Sequence, residues 1–264
     1  MPTQRLNGID LYWERAGGGP RLLMFNGSGS TIERMRPLFQ VLASQFDVVL
    51  HDQRGLGRTE IPAGPYSMAD YAADAVALVD HLGWPTFNVL GISFGGMVAQ
   101  EFAVTAPERV ERLALLCTSP GGAGGSSYPL HELRSMTAEE RAEVSMTIMD
   151  TRFTPEWLES HPADNMFVQG IRGEFGPASG SEAERGEIEQ LAARRTHDVW
   201  DRLPGITAPT FIGAGRYDGI APLSNSEAMA RRIPNAELHV YEGGHGFFAQ
   251  DASAFPEIIS FLAS

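Results

Sequence analysis

Ser93 stands in Gly91-Ile92-Ser93-Phe94-Gly95, between the apolar run Phe87–Leu90 and the helix-forming run Met97–Ala103. A strand-to-helix turn this tight forces its central residue into strained backbone geometry, and the flanking glycines let the chain pass close by. The hydroxyl is lifted out at the top of a sheet, at the positive end of the following helix. That is a position for a nucleophile. A serine hydroxyl attacks poorly at neutral pH and needs a base beside it. For acyl transfer the base is a histidine oriented by a carboxylate, with donors aimed at the developing oxyanion.

The elements that must position these groups follow from the hydrophobic pattern. Residues 3–15 alternate loosely about Asn7-Gly8 and read as an antiparallel strand pair. Arg21–Phe25 and Phe46–Leu50 are short apolar runs bounded by turn residues, the pattern of buried strands. A helix is expected over 33–44, and another from Ser67, whose hydroxyl and Asp70 form a capping box. Gly83 and Pro85 stop it. A strand over 86–90, the Ser93 turn, a helix to Ala106 and a strand over Val110–Cys117 follow. This regular alternation predicts an α/β fold, a mostly parallel sheet with helices on both faces.

The pattern then changes. From Pro129 to Leu203 there is no buried strand, only helix-like windows at 137–150, 154–160, 163–173 and 181–202, divided by the loop Gly173–Ser181. The segment reads as a helical insertion laid over the sheet. Strands resume over 210–215 and 236–241, with a helix at 223–232 between them and a last helix over 247–262.

In a doubly wound sheet the partners of Ser93 belong in loops at the carboxyl ends of strands. There are seven histidines. His81 and His239 fall inside predicted elements, His131, His161 and His197 fall in the insertion, and His51 ends a strand ahead of the serine. His245 sits in Gly243-Gly244-His245-Gly246, directly after the last strand. Asp218 lies in Arg216-Tyr217-Asp218-Gly219, just past the strand 210–215. Thr118 and Ser119, past the strand 110–117, offer no carboxylate. Ser93, Asp218 and His245 are therefore the candidate catalytic residues.

Composition sets the outer bounds. The chain of 264 residues is 43% hydrophobic and 20% charged, ordinary for a globular protein with a sizeable core. Its net charge of −13 disfavours nucleic acid and anionic membrane as partners. Cys117, the one cysteine, lies in an apolar run and reads as a buried structural thiol. No apolar run reaches the length of a membrane span, and Met1–Gly8 carries no long apolar core. A cytoplasmic enzyme, monomer or homodimer, is the expectation.

With these residues in view the chain resembles the α/β-hydrolases over essentially its whole length. The likeness rests on the Gly91–Gly95 turn, the loop 26–29, Asp52-Gln53-Arg54-Gly55-Leu56-Gly57, Asp218 and Gly244-His245, and on the chain order Ser93, Asp218, His245. It implies an eight-stranded, mostly parallel sheet with one antiparallel strand near the start, and a helical cap inserted after strand six. Core residues would be 1–118 and 205–264, and the cap 119–204. No cofactor and no metal is implied. By the same resemblance the N–H groups of Ser28 and Phe94 form the oxyanion hole, and the Asp52–Gly57 loop braces the site. Many members have His-Gly where this chain has Asn26-Gly27, but the donors needed are amides.

Within the family the texture is similar to 3-oxoadipate enol-lactonases and small carboxylesterases, through Asn26-Gly27, Tyr66–Tyr71 and Gly95-Gly96-Met97. The expected activity is hydrolysis of a small-molecule ester or lactone through an acyl-enzyme. A serine at 93 argues against haloalkane dehalogenase and epoxide hydrolase chemistry, which use a carboxylate there. Carbon–carbon bond hydrolysis, cofactor-free perhydrolysis and a ligand sensor of negligible turnover are the rivals. Candidate pocket residues are Phe153, Trp157, Phe167 and Phe247, with Met166 and Trp200 beside them. For most of these, holding the cap helices together is the expected role. Arg36, Arg152 and Arg172 are considered for a substrate carboxylate, against solvated surface charge.

Overall fold

The computed structural model describes residues 3–171 and 181–264. Its eight strands form one sheet: β1 (Thr3–Leu6), β2 (Ile9–Gly17), β3 (Arg21–Phe25), β4 (Asp47–His51), β5 (Phe87–Ile92), β6 (Val110–Leu116), β7 (Thr210–Gly215) and β8 (Ala236–Tyr241). Their order is β1-β2-β4-β3-β5-β6-β7-β8. β2 runs antiparallel to both β1 and β4, and every later pair is parallel. Asn7 and Gly8, with φ of 45° and 78°, make the two-residue loop between β1 and β2, as an Asn-Gly pair favours.

The helices are α1 (Ile32–Ala43), α2 (Met68–His81), α3 (Phe94–Thr105), α4 (Ala138–Met149), α5 (Pro155–Ser160), α6 (Pro162–Ile171), α7 (Ser181–Arg195), α8 (Leu223–Arg232), α9 (Phe247–Gln250) and α10 (Ala254–Ala263). α2 starts on the expected capping box: Ser67 N–H donates to Asp70 at 2.8 Å, and Asp70 N–H to the Ser67 hydroxyl at 3.2 Å.

Alternate residues of each central strand enter opposite cores. Leu23, Val89 and Leu115 meet Tyr71, Leu78 and Phe102 of α2 and α3, and Met229 of α8. Leu22, Met24 and Leu90 meet Phe39 and Leu42 of α1, and Ile258 and Leu262 of α10. Each fully buried side chain of this kind contributes about 1.5–3 kcal/mol. A third cluster joins α4, α5 and α6 through Ile148, Met149, Phe153, Leu158 and Val168, and takes in Ile220 from the loop after β7.

Two helices are shorter than the sequence predicts. The one expected over 181–202 ends at Arg195. There the chain straightens to pair Asp198 with Gly121, and Val199 N–H donates to the Pro120 carbonyl at 3.0 Å. Gly121 has φ +72°, and a Cβ on it would stand 2.0 Å from the His197 carbonyl oxygen, so the approach needs glycine. The last helix, expected over 247–262, is broken into α9 and α10. Asp251 causes the break: its carboxylate accepts from Ser253 N–H at 3.0 Å and the Ser253 hydroxyl at 2.7 Å, a local bond that competes with the helix.

Candidate active site

Ser93 joins β5 to α3 with φ 56° and ψ −116°, a conformation that L-residues rarely adopt. Its surroundings explain the glycines. A Cβ on Gly95 would lie 2.2 Å from the Phe25 carbonyl oxygen and 2.6 Å from that of Asn26. One on Gly91 would lie 2.6 Å from the Gly95 carbonyl oxygen. Only bare backbone lets α3 start this close to the end of β3. Ser93 N–H donates to the Leu116 carbonyl at 2.9 Å, and the Thr118 hydroxyl donates to the Ser93 carbonyl at 2.8 Å. The turn is thus pinned to β6.

The loops after β7 and β8 bring in the other two residues. Asp218 is 5% exposed, and its Oδ1 accepts from the N–H groups of Ile220 and Ala221, each at 2.8 Å. Its Oδ2 stands 2.8 Å from His245 Nδ1. His245 Nε2 stands 2.9 Å from Ser93 Oγ. With Nδ1–H donating to Asp218, Nε2 is left to accept the serine proton. The three candidates picked from the sequence are therefore in one hydrogen-bonded line.

The loop 26–29 runs beside the nucleophile. A Cβ on Gly27 would sit 3.6 Å from Ser93 Cβ, in ordinary contact. Among the described residues, the N–H groups of Ser28 and Phe94 have no hydrogen-bond acceptor. Asn26 is fully buried, and its carbonyl accepts from Gln53 Nε2 at 2.8 Å, so the Asp52–Gly57 loop does brace this strand end. From above, Gln190 of α7 accepts the Gly29 N–H at 2.8 Å.

The end of α4 is stitched to the loops after β7 and β8. The carbonyl of Ile148 accepts from Gly219 N–H at 3.0 Å, and that of Met149 from His245 N–H at 2.6 Å. Asp150, fully buried, accepts from Arg152 at 2.9 and 2.6 Å and from Gln250 Nε2 at 3.0 Å. Gln250 Oε1 in turn accepts the Gly244 N–H at 2.9 Å. None of Asp150, Gln250 or Gln190 was singled out in the sequence, because no local pattern distinguishes them from surface polar residues.

The apolar candidates separate. Phe153 is buried in the third cluster with Trp157 and Phe167 packed around it. Phe247 is fully buried under the sheet, stacked on Tyr241 with ring centroids 5.1 Å apart. Phe167 reaches the histidine loop from α6: its Cζ lies 2.6 Å from where a Gly246 Cβ would be. Met166 is exposed, and Trp200 packs against the first core. Arg36 is held by Glu14 through two bonds of 3.0 Å, and Arg152 by Asp150. Arg172 lies outside the described residues.

Other titratable groups near the site are quiet. Burial pushes the Cys117 thiol well up and the His51 imidazole down to about 4. Cys117 is a buried thiol, as expected, and His51 is neutral at physiological pH, edge-on to Phe25 at 5.8 Å. Among the described residues no group of His, Cys, Asp or Glu side chains is arranged to hold a metal ion, and no helix is long and apolar enough to cross a membrane.

Comparison with known proteins bears on the fold. The chain is 31% identical over 246 residues to a poly(3-hydroxyalkanoate) depolymerase of Ectopseudomonas oleovorans, covering 91% of this chain and 83% of that one. It is 25% identical over 238 residues to 3-oxoadipate enol-lactonase 2 of Acinetobacter baylyi, covering 89% and 85%. The fold superposes on the enol-lactonase of Burkholderia xenovorans LB400 with a TM-score of 0.81 at 24% identity, over 100% of both chains. The family model for the alpha/beta hydrolase fold matches residues 20–252. That stretch takes in every strand from β3 to β8, and on it the chain belongs to the α/β-hydrolase family.

Proposed function

We propose that this enzyme hydrolyses small carboxylic esters or lactones through an acyl-enzyme on Ser93. The observation that carries the reading is the line Ser93 Oγ–His245 Nε2–His245 Nδ1–Asp218 Oδ2, with contacts of 2.9 and 2.8 Å. Ser93 attacks the carbonyl carbon while His245 takes its proton. Asp218 keeps the imidazole in the accepting tautomer and stabilises the imidazolium. The N–H groups of Ser28 and Phe94 receive the oxyanion, and each such donor is worth about 3–4 kcal/mol. His245 gives its proton to the leaving alkoxide or enolate oxygen. It then activates the water that releases the acid. No bound cofactor takes part in this scheme.

In this reading residues 119–204 cap a core made of 1–118 and 205–264. Phe167 is the pocket wall nearest the histidine, while Phe153, Trp157 and Phe247 support from behind. The test is fluorophosphonate labelling with peptide mapping, alongside turnover of 4-nitrophenyl acetate and butyrate. Labelling at Ser93, turnover in the native enzyme and loss of both in Ser93→Ala are expected. Esterase activity surviving in Ser93→Ala would overturn the reading.

A further inference from the structure

The turn that carries the Ser28 N–H is held from both sides. It is closed by Ser30 N–H donating to the Gly27 carbonyl at 3.2 Å, with Ser28 and Gly29 at its corners and Gly29 at φ +66°. Ahead of it, the Asn26 carbonyl accepts from Gln53 Nε2 at 2.8 Å. Behind it, the Gly29 N–H donates to Gln190 Oε1 at 2.8 Å. The peptide planes 26–27 and 28–29 are therefore each fixed by a side-chain amide, and the plane between them carries the Ser28 N–H.

The two amides come from segments that pack on one another. Gln53 belongs to the Asp52–Gly57 loop and Gln190 to α7. Gly186 lies one turn before Gln190 on the same face of α7. A Cβ on Gly186 would stand 1.9 Å from the Gly55 carbonyl oxygen, so helix and loop meet backbone to backbone. Arg185 adds bonds to the Ile61 and Pro62 carbonyls at 2.8 and 2.7 Å. α7 thus has a fixed seat from which Gln190 reaches the turn.

Glutamine is a costly residue to place here for packing alone. Gln190 is 1% exposed, and its Nε2 has no hydrogen-bond partner among the described residues. Burying that donor works against stability. A carboxylate would accept the Gly29 N–H more strongly, and α7 carries glutamates at 182, 184, 187 and 189. The residue that meets the turn is nevertheless neutral. A negative charge there would oppose an oxyanion forming at the adjacent N–H, and an uncharged acceptor does not.

We propose that Gln190 is a positioning residue for the oxyanion hole. By holding the Gly29 N–H it keeps the Ser28 N–H aimed at the oxygen that becomes negative as Ser93 attacks. The proposal rests on the hydrolase reading of Ser93, with Ser28 as an oxyanion donor, and adds to it a residue acting through the backbone of Gly29.

The test is Gln190→Met, which keeps the volume and removes the acceptor and the unpaired donor together. An oxyanion exists only after attack, so kcat on 4-nitrophenyl butyrate should fall about ten-fold with KM within about two-fold. Propyl trifluoromethyl ketone reads the same hole directly. Ser93 Oγ adds to its carbonyl carbon, the π pair moves to the oxygen, and the serine proton passes to His245. Its inhibition constant should rise about ten-fold in the variant, by the same argument. A merely structural role predicts a urea midpoint that falls with kcat, whereas here the midpoint is expected to hold. Unchanged kcat, unchanged inhibition by the ketone, a rise in KM alone, or a midpoint falling with kcat would each overturn the proposal. Should Gln190→Met fail to fold, Gln190→Asn keeps the amide but draws it back by one C–C bond, ~1.5 Å. The same loss of kcat is then expected, and native kcat overturns the proposal. If the native enzyme neither turns over the ester nor is labelled at Ser93, the hydrolase reading fails and the role of Gln190 falls with it. An active native enzyme matched by an equally active Gln190→Met removes the role of Gln190 alone.

Discussion

The main-chain N–H of His245 donates to the carbonyl of Met149 at 2.6 Å, so the residue read as the general base is hung from the last turn of α4. A second tie runs parallel to it. Gln250 bridges Asp150, one residue further on, to the N–H of Gly244, one residue earlier. A Cβ on Gly244 would stand 2.1 Å from the Met149 carbonyl oxygen, so the two segments touch backbone to backbone. The helices between β6 and β7 therefore help to set the position of the histidine.

Cutting the side-chain tie is expected to misplace the imidazole without altering the pocket. Gln250→Met keeps the volume and removes both bonds. We expect kcat to fall about ten-fold with KM within about two-fold, since ångström-scale misplacement costs up to about 100-fold. Steady-state kinetics on a single ester separates the two constants. A variant that raises KM alone would show that Gln250 serves substrate binding. Asp150→Ala is the harsher change. It strands Arg152 beside a buried gap, and breaking such a pair costs about 3–5 kcal/mol of stability.

Gly95 and Gly27, both beside the Ser93 turn, differ in how much they tolerate. At Gly95 an added methyl meets backbone oxygens at 2.2 and 2.6 Å, which cannot move without dislodging β3. Gly95→Ala is expected to lose about 3 kcal/mol or more. At Gly27 the nearest atom is Ser93 Cβ at 3.6 Å, and Gly27→Ala should change stability by less than about 1 kcal/mol. Urea unfolding midpoints of the two variants give the comparison. Similar losses at both positions would mean that steric room is not what selects glycine at 95.

Much of this was legible because it is written in local patterns. The strand runs are short and apolar, Ser67 and Asp70 announce α2, and the glycines around Ser93 mark the turn. Asp218 and His245 could be chosen by their place after β7 and β8. The 181–202 window misled because helix propensity continues past Arg195, whereas a distant partner, Gly121, captures the chain at Asp198. Phe247 misled for a related reason. It follows His245 closely in sequence, yet the turn into α9 directs its ring down into the core. Arg194 and Arg152 are alike as sequence. What separates them is that Arg152 is paired with Asp150, while the Nε and Nη2 of the buried Arg194 have no partner among the described residues.

Acid should destabilise the fold through its buried imidazoles. Burial holds His51 and His197 down to about 4 in the folded chain, below the ordinary value of about 6.5. Between those two values the unfolded chain takes up protons that the folded chain refuses. Stability therefore falls as pH drops from about 6.5 towards 4, by on the order of 3 kcal/mol for each group. His51→Leu removes one of the two titrations, so its urea midpoint should fall less steeply over that interval than that of the native enzyme. Parallel slopes would assign the acid sensitivity elsewhere.

The conformation of Ser93 itself gives the last prediction. At φ 56° and ψ −116° an L-residue carries strain of about 1–3 kcal/mol, which glycine does not feel. Ser93→Ala and Ser93→Gly both remove the hydroxyl, so both should be inactive and resist the fluorophosphonate. They differ in backbone freedom. Alanine keeps the strain, whereas glycine relieves it and gives back about 0.5–1 kcal/mol through its more disordered unfolded state. The glycine variant should therefore unfold at the higher temperature. If alanine matches or exceeds it in calorimetry, the turn does not store its strain in the backbone of residue 93, and the neighbouring Gly91 and Gly95 already absorb it.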